Sequence, residues 1–561
     1  MVAEEDRIGI PTWDLESLNW VTPIAIGFFD GVNYRDFIKE NEQDDFVWRF
    51  LCFLREHYFG IRLFAHFASK YDNKFILAVL RQHDEVVKLE AGFLRIRWVG
   101  PNILFEDSYA LVPMSLEKMN KMFGVTEKKR WDHSKTKVPW EMKSSLPVFR
   151  EYLKVDCISL SQSLYKLCET LGMTFGQMPS VSLATTAAKI FDKVFYPVRR
   201  IKSNIDYEEY IREADYAGRN EVYKRYGEKI NIYDIHWMYT SCYNTPVPVG
   251  QLRWIKPDID RGTIAEATVK VPKDWYIGPL PCKLKGKMKG KLAFPVGVFT
   301  RWWDVYDLRN AAEMGVDLTI RRQLCCEEEP ILLPFGQFVS SLDGQGKDPF
   351  WKAFGISLSG KFGQSRWRDS IKYLDQIENF QGYSPVDSRE EYFSTKEYAG
   401  KGAPYIKPLV YVRIRTEARI RHLKILMAAL ESGEVFYGDT DSCHTTSVLP
   451  TGEGVGDLVY LGQASRGYYV RQKLYCLVKK GRLEQKSAGY SDLKLSEEDF
   501  KNLLQEGHTI TTISHLPSYR KVLNDREVTL LHQARTIKGD MGDSRVPEGN
   551  DTRPILLQER Q

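Results

Sequence analysis

The chain has 561 residues, 43% of them hydrophobic and 13% aromatic, with a formal net charge of +5. That apolar content suffices for several cored domains and excludes a disordered or low-complexity chain, while the mild positive charge is compatible with a polyanionic partner without demanding one. Nine cysteines with no CxxC spacing exclude a disulfide scaffold and a zinc finger, and set a reducing, intracellular compartment as the expectation. The apolar run WVTPIAIGFF is about half a membrane span and no basic segment precedes it, so neither a membrane helix nor a secretory signal is expected.

In chain order, TWDLESL comes first and places Asp14 and Glu16 at i and i+2, on one face of a strand. FAHFASKYDNKFIL sets Asp72 just before an apolar run, and YLKVDCISL sets Tyr152 and Asp156 at i and i+4, on one face of a helix. Four carboxylates and a tyrosine suit two-metal phosphodiester hydrolysis, with the tyrosine orienting the attacking water. Farther on, INIYDIHWMYTS reads as a strand ending at Asp234, followed by a turn or short helix. Roughly 110 residues then separate Thr240 from Lys352, too many for a loop, so they form a subdomain. Within it a helix starts near Asp304, with Val305, Leu308 and Ala312 on one face and Gly315 at its C-terminal end.

VFYGDTDSCHTT reads as two short strands, Val435–Tyr437 and Ser442–Thr445, joined by turn residues 438–441. Two like charges at a tight hairpin tip, Asp439 and Asp441, repel each other and build no core, but they suit a divalent cation that also meets phosphate oxygens. An aspartate at a strand end together with an Asp-x-Asp hairpin is a carboxylate set for two-metal nucleotidyl transfer. KLYCLV and KSAGY supply Lys473, Tyr475 and Lys486: lysines neutralise phosphate and tyrosines pack on sugar or base, although a basic surface strand reads the same way. Beyond about Asp540 the sequence reads as a mobile polar tail.

These motifs resemble those of family B DNA polymerases and stand in that family's order. YGDTDS resembles YxDTDS. YDIHWMYTS resembles DxxSLYPS, with Asp234, Tyr239 and Ser241 matching. PFWKAFGISLSGKFG resembles the KxxxNSxYG helix, with Lys352, Ser357 and Gly360 matching. The early carboxylates resemble the family's 3′→5′ exonuclease motifs, and YAGRNEVY resembles the linker between exonuclease and polymerase. The subdomain after Thr240 resembles the insert of the protein-primed branch, which serves phages, adenoviruses and mitochondrial linear plasmids.

The resemblance implies an α+β multidomain fold: a right hand of palm, fingers and thumb behind an N-terminal ribonuclease-H-like exonuclease. The implied order is exonuclease 1–180, palm 181–250, terminal-protein-region insert 251–338, fingers 339–372, second insert 373–404, palm 405–488, and thumb with the polar tail 489–561. It implies a template-directed DNA polymerase with proofreading, using two Mg²⁺ or Mn²⁺ ions per site. The metal ligands would be Asp234, Asp439 and Asp441 in one site and Asp14, Glu16, Asp72 and Asp156 in the other. Ile235, Tyr239, Lys352 and Ser359 would meet the nucleotide. His66, Phe67, Tyr216, Gly218, Arg219, Ser357, Gly360, Thr440, Lys473, Tyr475 and Lys486 would meet DNA. Partners would be primer–template DNA, dNTPs and a separate terminal protein. Lys128 and Lys135 both fit the position of a lysine that assists the exonuclease.

The sequence departs from the family pattern at Trp237 and Thr240, at Ile356 and Ser359 in the nascent base-pair pocket, and at Phe67, where an asparagine is usual. None of these is a metal ligand. The departures leave a second reading open, a polymerase-defective relative acting as a DNA-binding protein or exonuclease only. A third, an RNA-dependent polymerase signature in YGD, fails because Thr440 separates the two aspartates.

Overall fold

The computed structural model describes residues 9–126, 131–171, 181–285, 290–342, 349–399, 403–487, 494–505, 507–539 and 544–558; Lys128 lies outside them. The chain forms two compact units. One gathers residues 1–186, 365–400 and 514–532, the other 187–364, 401–513 and 533–561.

The first unit is built on a mixed seven-stranded sheet. Strand Thr12–Leu18 pairs antiparallel with Thr22–Phe29 on one side, and Arg62–Ala65 lies parallel to both Thr12–Leu18 and Ile103–Asp107. Helix Leu146–Thr170 covers one face of the sheet. Its inward residues Phe149, Tyr152, Leu153, Asp156, Cys157, Leu160 and Leu164 recur every three or four positions. Gly27 permits the approach, since a Cβ there would lie 2.9 Å from both Cys157 Sγ and Leu153 Cγ.

Residues 365–400 and 514–532 join this unit through its core, which takes in Ile371, Tyr392, Tyr519, Val522 and Leu523. The buried Arg81 guanidinium pairs with Asp387 at 3.4 Å and with Glu391, and lies 4.7 Å from the Tyr392 ring centre. Strands Trp367–Tyr373 and Tyr392–Tyr398 pair antiparallel within this segment.

The second unit holds an all-antiparallel seven-stranded sheet in the spatial order 482–487, 474–479, 458–471, 226–235, 442–445, 435–439, 220–222. Helix Pro408–Ser432 packs against it, and helices Leu333–Leu342 and Pro349–Phe362 pack on each other. A five-stranded sheet follows the order 253–255, 317–325, 264–271, 296–304, 556–558. Its helix, Val305–Glu313, starts where Asp304 Oδ1 accepts the Tyr306 N–H at 2.9 Å. Ala311 rather than Ala312 joins Val305 and Leu308 in the core, and Gly315 takes the left-handed φ of +96° that ends the helix.

The expected mobile tail is instead a folded segment over residues 544–558. Strands Arg545–Glu548 and Asp551–Pro554 pair as a hairpin, and Leu556–Gln558 adds a parallel strand beside Val296–Asp304. Its polarity misleads because Arg545 and Thr552 are polar yet buried.

Candidate active sites

In the first unit Asp14 and Glu16 point to one face of their strand, and Asp156 meets them from the long helix. One ligand oxygen from each lies within 4.8 Å of the others. Among the described residues no other trio of His, Cys, Asp or Glu ligand atoms is so close. Tyr152, one turn before Asp156, donates its hydroxyl to Glu16 Oε1 at 2.9 Å. Burial, then the charges of Glu16, Asp156 and Asp14, push that phenol far above its ordinary value, so it stays protonated and acts as a donor.

Asp72, the first residue of helix Asp72–Gln82, stands outside the trio. Burial first, and the charges of Glu16 and Asp107 after it, hold its carboxyl well above the carboxylate range. Asp107 Oδ2 ties down the preceding loop by accepting from the N–H of Ser69 at 3.0 Å and from its hydroxyl. An all-oxygen set of three crowded carboxylates, with a fourth that burial holds above the carboxylate range beside them, fits a hard divalent cation.

Both ring nitrogens of His66 are engaged within the protein, by Ser108 Oγ at 3.0 Å and by the Met114 carbonyl at 2.7 Å. Phe67 stands out at 45% exposure with φ +69°, its ring edge-on to Tyr109. Trp20, also exposed, packs edge-on against Tyr71, whose hydroxyl bonds Ser17. Sequence reasoning missed Trp20 and Tyr71 because neither belongs to a motif. Lys135 is exposed and pairs with Asp132 at 3.6 Å; the neighbouring His133 ring lies edge-on to Tyr152.

In the second unit Asp234 is the penultimate residue of strand Tyr226–Ile235, and its register partner is Ser442, the first residue after the Asp439–Asp441 turn. That register brings the three aspartates to one end of the sheet. The turn is held by its backbone. Thr440, at φ +60°, donates its N–H to the Arg219 carbonyl at 2.6 Å, and Ile235 donates to the Asp441 carbonyl at 2.8 Å. From behind, the buried His422 Nε2–H meets the Ser442 carbonyl at 2.9 Å. Burial pulls the pKa of His422 down to about 4, so it is neutral.

The side chains divide the work. Lys352 Nζ stands 3.7 Å from Asp234 Oδ1, and Lys473 Nζ 3.7 Å from Asp439 Oδ2; Asp439 also accepts from the Tyr437 hydroxyl at 3.3 Å. Burial and then the charge of Asp234 push Asp441 up to about 6; burial raises Asp234 as well, opposed by Lys352. Asp234 and Asp441 are thus two partly buried like charges that a cation would relieve, each also near Lys352, while Asp439 is held by Lys473 and the Tyr437 hydroxyl. Beside them opens a cleft of about 530 Å³ lined by Gly218, Tyr239, Tyr411, Arg415, Asp439 and Lys473, among others.

Several expected contacts are corrected by burial. The Tyr216 ring is in the core with its hydroxyl on the Trp302 carbonyl at 2.9 Å. The Arg219 guanidinium is buried against Glu221 and the Gly278 carbonyl, both at 2.6 Å, so neither side chain faces DNA. Ser359 is buried and donates its hydroxyl to the Ile356 carbonyl, and the Ile235 side chain is in the core, so neither side chain is presented to a nucleotide. Ser357 likewise bonds its own helix, at the Phe354 carbonyl, whereas Gly360 and Lys486 are exposed. Tyr475 packs on Tyr437 beneath the hairpin. Trp237 is buried at φ +53°, where it turns the strand into helix Met238–Ser241. Thr240 packs so close to Gly355 that a Cβ there would lie 2.8 Å from its Oγ1. Tyr411 and Arg415 were missed; their signal is the i, i+4 spacing on helix Pro408–Ser432.

Residues 125–329 match the family model of DNA polymerase type B, organellar and viral. Two curated relatives, each named "Probable DNA polymerase", come from Neurospora intermedia (22% identical, 87% of this chain, 59% of the relative) and Ascobolus immersus (23%, 63% and 35%). The chain thus spans about a third to three-fifths of the relatives it matches. Among solved structures, the phi29 DNA polymerase complexed with primer-template DNA and incoming nucleotides superposes with a TM-score of 0.72 at 16% identity, covering 94% of this chain and all of that one. A phi29 DNA polymerase in an orthorhombic crystal form gives 0.68 over the same coverage. The fold is therefore that of a right-hand polymerase with an exonuclease-type domain, and the family model and curated relatives bear out the resemblance to type B DNA polymerases of organelles and viruses.

Proposed function

We propose that this chain is a template-directed DNA polymerase that extends a primer 3′-hydroxyl with dNTPs, is primed by a separate terminal protein, and proofreads with a 3′→5′ exonuclease. The observation that carries the reading is the Asp234–Ser442 register, which sets a strand-end aspartate against the Asp439–Asp441 turn at the mouth of a nucleotide-sized cleft.

Asp234 and Asp441 would hold the divalent ions, with Asp439 fixing the turn through Tyr437 and Lys473. Bound there, such ions lower the pKa of an attacking hydroxyl and neutralise charge on the triphosphate. Lys352, within reach of Asp234, would deliver a point charge to the phosphates, and Tyr239 would form the floor under the sugar. Burial pushes the Tyr239 phenol up to about 12, so it stays neutral and packs as a ring.

In the first unit Asp14, Glu16 and Asp156 would hold the ions for hydrolysis, Asp72 would complete the set, and Tyr152 would orient the water. The exposed ring of Phe67 would stack on a terminal base, at the position where the resembled motif has an asparagine.

The test is purified protein with Mg²⁺ and an end-labelled primer–template. Extension only when dNTPs are present, and shortening when they are absent, supports the reading. Shortening alone would replace it with an exonuclease on a polymerase frame.

A further inference from the structure

The Asp439–Asp441 turn is clamped from the side of the sheet edge by a buried polar cluster that the proposed chemistry does not use. Strand Asn220–Val222 lies beside Val435–Asp439, with Glu221 opposite Gly438 and Asn220 opposite Asp439. Immediately before it, the Arg219 carbonyl takes the Thr440 N–H. The position of that carbonyl is fixed by its own side chain. The guanidinium meets Glu221 Oε2 and the Gly278 carbonyl and stacks 3.6 Å from the Phe294 ring centre.

Glu221 is fully buried. Its Oε2 also accepts from the Tyr223 hydroxyl at 3.1 Å, and its Oε1 faces Arg545 Nη1 at 3.7 Å. Arg545 belongs to the hairpin 545–554, and it too is buried. It donates from Nε to Thr552 Oγ1 at 2.7 Å and from Nη2 to the Tyr276 carbonyl at 2.9 Å, between the rings of Tyr223 and Tyr276. Thr552 in turn donates to the carbonyls of Val222 and Tyr223 on the edge strand. One buried carboxylate thus holds two buried guanidiniums, one behind the turn and one from a segment more than a hundred residues later.

We propose that the hairpin 545–554 positions the aspartate turn, acting through Arg545, Glu221 and Arg219. None of the three touches the reacting atoms; they are positioning residues, and the Thr440 amide is where their effect arrives. Removing Arg545 leaves Glu221 a single cationic partner, lets the Arg219 carbonyl drift, and loosens the turn that carries both flanking aspartates. The consequence for synthesis rests on the polymerase reading given above. The consequence for the turn does not.

The experiment uses the full chain and four variants: Arg545→Met, Arg545→Lys, Glu221→Gln, and Arg553→Ala on the exposed face of the same hairpin as control. Hydrogen exchange is followed in the fragment spanning residues 436–443, beside kcat and KM for single-nucleotide addition and the rate of primer shortening. Arg545→Met and Glu221→Gln are expected to speed exchange at the Thr440 amide about tenfold or more. They should lower kcat about ten- to a hundredfold with KM for dNTP little changed, and leave shortening at the parental rate. Arg545→Lys should recover part of both losses, and Arg553→Ala should change neither.

Unchanged exchange at Thr440 in both charge-removing variants overturns the proposal, as does equal loss of extension and shortening in both. If Arg545→Met does not fold, Glu221→Gln decides on the same readouts. If the parent chain does not extend primers, the polymerase reading fails while the exchange result still decides this one.

Discussion

A single methyl group at Gly218 should be costly to synthesis. A Cβ added there would lie 2.8 Å from Thr440 Oγ1 and 2.9 Å from its Cγ2, where ordinary contact begins near 3.4 Å. Gly218 does not occupy the left-handed region, so the contact alone decides the outcome. Thr440 has nowhere to retreat: its N–H is bound to the Arg219 carbonyl, its Oγ1 lies 3.3 Å from Asp439 Oδ1, and its backbone already sits at φ +60°. Overpacking of this kind costs about 1–3 kcal/mol, and a turn pushed by a few tenths of an ångström should lose about ten- to a hundredfold in incorporation. A non-glycine residue in the left-handed region itself carries about 1–2 kcal/mol of strain. Thr440→Gly removes both the strain and the clash, so the double variant Gly218→Ala, Thr440→Gly should regain most of what Gly218→Ala loses. The assay is single-turnover incorporation beside urea denaturation. Gly218→Ala with parental rate and stability, or a double variant no better than the single, would refute the steric argument.

The pH dependence has a defined sign. Burial holds His444 near pKa 3 and His422 near 4, below the ordinary 6.5, so each favours the fold fully above pH 6.5 and the benefit is lost as pH falls from 6.5 toward those values. Relative to the parent, His444→Gln should therefore lose less stability between pH 6.5 and 4, measured by urea titration at each pH; parallel curves would contradict it. Arg81→Met strands the buried Asp387 and should cost the first unit about 3–5 kcal/mol, read as earlier proteolytic cutting within residues 365–400. Phe67→Asn places a residue tolerant of φ +69° there, so stability should hold or rise while the preference among terminal bases in primer shortening changes; an unchanged preference would dismiss the stacking role.

What was legible in the sequence was what is local. The pairs Asp14/Glu16 and Tyr152/Asp156 follow from the periods of a strand and a helix, and both meet in one site as expected. The hairpin around Asp439 and Asp441 was readable from strand residues flanking turn residues, and differs from expectation only in that its first strand runs on to Asp439. Long-range partnerships were not legible. An arginine beside a glycine in a linker reads as a phosphate contact, and only Glu221 two places on, with Arg545 far downstream, makes Arg219 a buried anchor. The same blindness hid the hairpin 545–554, whose polar residues satisfy one another out of water. It also hid Tyr392, whose hydroxyl takes the Val87 N–H in the core of the first unit.

On the proposed function, two separate carboxylate sites serve two opposed reactions on one primer. The most direct measurement compares Asp441→Asn with the double variant Asp14→Ala, Glu16→Ala on a labelled primer–template with Mg²⁺. Losing a metal ligand should remove about 3 kcal/mol or more of transition-state stabilisation, a hundredfold or more in rate. Asp441→Asn should abolish extension and keep shortening, while the double variant should keep extension and abolish shortening. Loss of both activities in either protein, or extension that survives Asp441→Asn, would contradict it.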